Sequence, residues 1–300
     1  MVAVRGGIEE SRHAVHVAVC SADGRLLGAL GDPERLTVMR SAAKPWQAQV
    51  LVASGAIERF GLSDRAVAVA CASHGGLPEH VTEVRDALEA AGVPLRLVGP
   101  TVGSLARRLA HNCSGNHMGF LVAAAAQGWR LADYREPGHP SQQAALAAVA
   151  AAAGVDPGGV ATCTDGCGVV AFALPLRAIA AMFARIDEAL PAQSAAMRAH
   201  PELVAADGAF DTELMRAVAG CVAKSGAEGV QGVGLPGGIG VAVRVEDGAS
   251  RAVAPAMMAV LDRVGIAASA TELDRFRRPE IRNARDQVVG ILAPDVQISI

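Results

Sequence analysis

An alternating apolar run, Ala14-Val-His-Val-Ala-Val-Cys20, is followed by the turn residues Ser21-Ala-Asp-Gly24 and a returning run, Arg25-Leu-Leu-Gly-Ala-Leu30. Two strands joined by so short a connection pair antiparallel, so the chain opens with a β-hairpin. The theme recurs near the other end, where Ile239-Gly-Val-Ala-Val-Arg-Val245 leads through the turn Glu246-Asp-Gly248 to a short partner run at residues 250–253. Between these ends, apolar spacing, prolines at starts and glycines at stops predict helices at residues 45–54, 78–91, 113–126, 142–153, 175–189, 211–224 and 255–264. Continuous apolar runs at residues 66–71 and 169–174 read as buried strands. Hairpins at both ends with helices between predict an α+β fold, an antiparallel sheet flanked by helices. With no internal repeat, linker or low-complexity tract, residues 1–300 are expected to form one compact catalytic unit.

Composition excludes several classes. The 300 residues are 51% hydrophobic and 19% charged, with a formal net charge of −3, enough for a large core without disulfide staples. No apolar run approaches the ~18–20 residues of a membrane span. The opening Met1-Val-Ala-Val-Arg-Gly-Gly lacks the charged head and long apolar stretch of an export signal, so a cytoplasmic protein is expected. A near-neutral balance and 3% aromatic residues argue against a nucleic-acid partner, which needs a block of Lys and Arg and stacking rings. The six cysteines are expected to stay reduced, with Cys20, Cys71 and Cys221 acting as small buried apolar groups.

Five segments carry residues suited to chemistry. In Arg40-Ser41-Ala42-Ala43-Lys44, serine and lysine three apart share the face of a helical turn, so an amine can reach a hydroxyl. A lysine acts as base to a serine nucleophile only when neutral, which requires its pKa to fall from ~10.4 towards ~7–8. Pro45 disfavours helical backbone at Lys44 unless Ser41 stands at the very start of the helix. Cys71-Ala72-Ser73-His74-Gly75-Gly76 places polar side chains before glycines that permit close approach, or forms a turn whose Ser and His bond local backbone. His111-Asn112-Cys113-Ser114-Gly115-Asn116-His117 opens a helix whose N-terminus can present amide donors to an anion. Thr164-Asp165-Gly166-Cys167-Gly168 is a turn whose Asp either caps backbone or accepts from a substrate ammonium. Lys224-Ser-Gly-Ala-Glu-Gly229 falls at a predicted helix end, where exposure to solvent is the plain expectation.

In this order, R-S-A-A-K-P, C-A-S-H-G-G, H-N-C-S-G-N-H, D-G-C-G and K-S-G-A-E-G-V resemble the asparaginase family of the Rhizobium etli type over nearly the whole chain. The resemblance implies a serine β-lactamase and penicillin-binding-protein-like architecture and hydrolysis of the side-chain amide of L-asparagine to L-aspartate and ammonia. It implies Ser41 as nucleophile, Lys44 as its base, and Ser73 with Lys224 as a second Ser–Lys pair. Asp165 would hold the substrate ammonium, and Arg40, His74 or His117 its carboxylate, with Asn116 lining the site. The family pattern also implies zinc on two cysteines, here Cys113 and Cys167, and on a lysine whose position is taken by Asn116, with Cys163 or His117 as substitute ligands. A homodimer is implied as well. Two other outcomes stay open: the same chemistry on glutamine, a β-aspartyl amide or a peptide amide, and a ligand-binding protein weakened by Asn116.

Overall fold

Val17, Val19, Val241 and Val243 are almost completely buried because the strand Ile239–Val245 lies between Val15–Ser21 and Val230–Leu235 and has no free edge. In the computed structural model, which describes residues 1–266 and 270–295, the chain divides into two compact units. The first comprises Met1–Thr37, Leu174–Arg185 and Glu213–Ile300, and the second Val38–Ala173 and Ile186–Thr212.

The first unit holds an antiparallel sheet in the order Leu26–Leu30, Val15–Ser21, Ile239–Val245, Val230–Leu235, Val222–Gly226. The predicted opening hairpin is its first pair of strands. Side chains alternate across a pleated strand, and helices Leu176–Ala184 and Val253–Arg263 cover the sheet. Two glycines let the first helix approach: Gly232 lies under the Phe183 ring, and Gly240 lies against the Ala180 carbonyl and the Ala184 amide. A second antiparallel sheet orders Glu280–Arg282, Val288–Ala293, Val2–Arg5 and Ile8–Arg12. Ala3, Leu292, Val245, Ala252 and Val253 close into one apolar cluster beside it.

The second unit is mainly helical around Ser114–Gln127, which is buried on nearly every side, as its apolar sequence requires. Helices Asp64–Ala70 and Pro78–Ala90 pack on it, and Gly115 and Gly119 admit Val69 and Ala70 at close range. Strands Ala161–Thr164 and Val170–Pro175 pair antiparallel. The molecule is thus α+β, with antiparallel sheets and flanking helices. Among the described residues no helix is long and apolar enough to cross a membrane.

Three expectations are corrected. Residues 66–71, expected as a strand, belong to helix Asp64–Ala70. A short apolar run buried all round has no period to distinguish the two, and its alanines with Asp64 in the first turn favour the helix. Helix Phe210–Ala217 stops well before Lys224, because Gly220 takes φ +78° and the chain re-enters the sheet as Val222–Gly226. Residues 250–253 do not pair with Ile239–Val245; Ser250–Ala252 is a 3-10 turn leading into the helix Val253–Arg263.

The close approach at Gly240 gives a test. A Cβ there meets backbone atoms that cannot swing away, so Gly240→Ala is predicted to lower unfolding free energy by about 1–3 kcal/mol in urea titration. Gly138→Ala, whose Cβ meets nothing within 4 Å, leaves the midpoint near that of the parent.

Candidate active site

The geometry around Ser41 and Lys44 lies within the second unit. Met39 is fully buried and donates its amide to the Phe172 carbonyl at 2.8 Å, fixing the segment ahead of Ser41 to the strand Val170–Pro175. Arg40 then adopts φ +49°, a left-handed conformation that costs a side-chain-bearing residue about 1–3 kcal/mol. Its guanidinium is held by Asp165, with Nε donating to Oδ2 at 2.8 Å and Nη2 to Oδ1 at 3.4 Å. The chain continues as a 3-10 turn, Arg40–Ala43, directly into helix Lys44–Gln47. Side chains three apart eclipse in a 3-10 turn, so Ser41 and Lys44 share a side. Pro45 occupies the first turn of the helix, where its missing N–H has no intrahelical role.

Lys44 is 2% exposed. Its Nζ lies 2.6 Å from the Ala72 carbonyl, 3.1 Å from Ser73 Oγ, 3.4 Å from the Asn112 carbonyl and 3.3 Å from Cys113 Sγ. None of these partners is a carboxylate, and Ser41 Oγ is not among them. Three motifs therefore converge on one amine: R-S-A-A-K supplies it, C-A-S-H-G-G follows helix Asp64–Ala70, and H-N-C-S-G-N-H opens helix Ser114–Gln127. The fourth motif joins through sulfur. Cys167 shares a hydrogen bond with Cys113 that draws the Cys113 thiol well down, against burial and with help from the Lys44 charge. The same hydrogen bond pushes the Cys167 thiol up, reinforced by burial.

Asp165 caps its own turn and pairs with Arg40. Its Oδ1 lies 3.4 Å from the Cys167 amide while the carboxylate grips Arg40. Burial pushes its carboxyl up, but Arg40 and the amide hydrogen bond outweigh that and hold it below the usual carboxylate value. Asp165 and Arg40, expected at opposite ends of a substrate, are joined to each other. His74 is 2% exposed; its Nδ1 accepts from the Gly76 amide at 3.1 Å, so Nε2 carries the proton toward Ser114 Oγ at 2.9 Å. Its ring stacks on that of His80, with centroids 4.9 Å apart. His117 is fully buried, with Nδ1 2.5 Å from the Tyr134 hydroxyl and Nε2 without a hydrogen-bond partner among the described residues. Asn116 gives Nδ2 to the Ala70 carbonyl at 3.4 Å and leaves a buried Oδ1 equally unpartnered.

Lys224 belongs to the first unit. It is fully buried rather than exposed at a helix end, lies opposite Gly232 in the sheet, and its Nζ donates to the Ser225 carbonyl at 2.9 Å.

The residues present do not fit zinc. Zinc sites keep at least three firm protein ligands, whereas here two thiols share a hydrogen bond and Lys44 Nζ stands 3.3 Å from one of them. Among the described residues no three His, Cys, Asp or Glu side chains converge. Asn116 has only an amide oxygen to add, a poor zinc donor, and Cys163 is exposed on strand Ala161–Thr164. Sequence alone did not reveal Tyr134, although it is the chain's single tyrosine, nor the carbonyls of Ala72 and Asn112, which no side chain announces.

A chain with this order of motifs around a buried lysine is an L-asparaginase-like hydrolase, since the family model for L-asparaginase II matches residues 1–294. The chain belongs to that family, the Rhizobium etli type. No curated protein matches it.

The buried histidine sets a pH test. Burial, aided by the neighbouring His80 and Lys44, lowers the His74 pKa from 6.5 to about 3. The unfolded chain therefore binds a proton below 6.5 that the folded chain refuses, and stability falls as pH drops from 6.5 towards 3. His74→Asn is predicted to remove up to about 1.4 kcal/mol per pH unit of that slope in urea titrations across this window.

Proposed function

We propose that the protein hydrolyses the side-chain amide of L-asparagine to L-aspartate and ammonia, using Ser41 as nucleophile and Lys44 as base. The observation that carries this is Lys44: an amine 2% exposed, hydrogen-bonded to three oxygens and to Cys113 Sγ with no carboxylate among them, three residues after a serine on an eclipsed turn. Lys44 in its neutral form takes the Ser41 hydroxyl proton as Oγ attacks the amide carbon. The tetrahedral intermediate then collapses, the carbon–nitrogen bond breaks, and the proton passes from Lys44 to the departing nitrogen as ammonia leaves. Water next attacks the aspartyl ester on Ser41, gives its proton to Lys44, and the Ser41 oxygen recovers it as aspartate departs.

Ser73 Oγ, 3.1 Å from Nζ, offers a hydroxyl through which that proton moves or is held. Lys224 enters the proposal through the family's fifth motif alone, as the second catalytic lysine. The serine β-lactamase-like architecture, the homodimer and the cytoplasmic setting belong to the same proposal. Among other amides, glutamine, β-aspartyl and peptide amides are the competing substrates. The unpartnered Asn116 Oδ1 at the family's lysine position favours a second reading, a protein that binds asparagine with weakened turnover.

Ammonia release from asparagine and glutamine separates these. Ser41→Ala is predicted to abolish release while circular dichroism stays unchanged, and Lys44→Met and Lys224→Met to cut kcat by about 10²–10⁴-fold. Full activity in any of the three contradicts the assigned roles. Asparagine binding by the parent protein without ammonia release favours the second reading.

A further inference from the structure

The second unit contains a cavity of about 530 Å³ lined by Arg96, Arg108 and Arg135 and by no aspartate or glutamate. Leu97, Val102 and Tyr134 add apolar surface to it. This volume suits a small molecule. Like charges gathered on one wall repel one another, and among the described residues none of the three arginines forms an ion pair that would offset this. The hydrogen bonds of two of them within the protein go to backbone carbonyls instead. Arg108 Nη1 donates to the Arg96 carbonyl at 2.8 Å, and Arg135 Nη1 to the Gly99 carbonyl at 2.9 Å. Arg135 also lies 5.7 Å from the centre of the Tyr134 ring, which steadies its plane.

The remaining donors are unused. Arg108 Nε is buried with no partner among the described residues, and the Arg96 side chain makes no hydrogen bond there. A buried charged donor without an acceptor is costly, so an anion that accepts from Arg108 Nε relieves that cost, and the solvent-exposed Arg96 and Arg135 side chains add further guanidinium donors beside it. Guanidinium forks match the paired oxygens of carboxylate and phosphate groups. We propose that this cavity binds a small polyvalent oxyanion, a dicarboxylate or a phosphate ester, through Arg96, Arg108 and Arg135. Cys167 lines the same cavity and hydrogen-bonds Cys113 beside Lys44, so the ligand sits one thiol away from the amine cluster.

The test is calorimetric titration of the full-length protein at low ionic strength, with inorganic phosphate and succinate as probes. Saturable binding of one equivalent is expected, weakened about tenfold in Arg96→Gln and in Arg135→Gln, with unchanged melting temperatures. Arg96→Gln is the safer variant, because that side chain holds no other group in place. Tighter phosphate binding identifies a phosphate ester, and tighter succinate binding a dicarboxylate. Absence of saturable binding by either probe at millimolar concentration overturns the proposal, as does an affinity unchanged in either variant. The readout is independent of ammonia release, so it stands or falls apart from the amidase reading.

Discussion

A primary amine held out of water without a carboxylate beside it is the constraint around which the second unit is organised. Taking an ammonium from water costs several kcal/mol unless hydrogen bonds replace those lost. Around Lys44 the replacements come from distant parts of the chain: the Ala72 carbonyl past one helix, the Asn112 carbonyl and Cys113 thiol before another, and the Ser73 hydroxyl. Each of these segments is in turn fixed by backbone. Ser73 donates its amide to the Val204 carbonyl, and His111 Nδ1 accepts from the Cys113 amide. The strained φ of Arg40 fits the same logic, since the ion pair with Asp165 holds a conformation that the backbone alone disfavours.

Much of the fold was legible because hydrophobic period and turn chemistry agreed. The opening hairpin, helix Pro78–Ala90 with its glycine stop, and helix Pro140–Ala153 ending at Gly154 follow from local signals. Where burial is complete, period vanishes, and the helix Asp64–Ala70 passes for a strand. Strands Val222–Gly226 and Val230–Leu235 escaped notice because glycines and polar residues interrupt their alternation. Gly232 is a glycine because Phe183 occupies the space of its side chain, a reason visible only in the packed sheet.

The site was legible as motifs and illegible as distances. Spacing brought Ser41 and Lys44 onto one face, yet the hydroxyl within hydrogen-bond distance of Nζ is that of Ser73. Residue type suggested Arg40 and Asp165 as binders of opposite substrate charges, and tertiary proximity pairs them. The exposure expected for Lys224 failed because helix-end reasoning does not apply to a strand. The departure at Asn116 was plain in the sequence; the hydrogen bond between Cys113 and Cys167 is visible only in the folded chain.

The most direct measurement of the central claim is peptide mapping by mass spectrometry after acid quench of the protein mixed with L-asparagine. The account predicts an aspartyl ester on Ser41. An aspartyl group found on Ser73 or on Cys113 instead would contradict it.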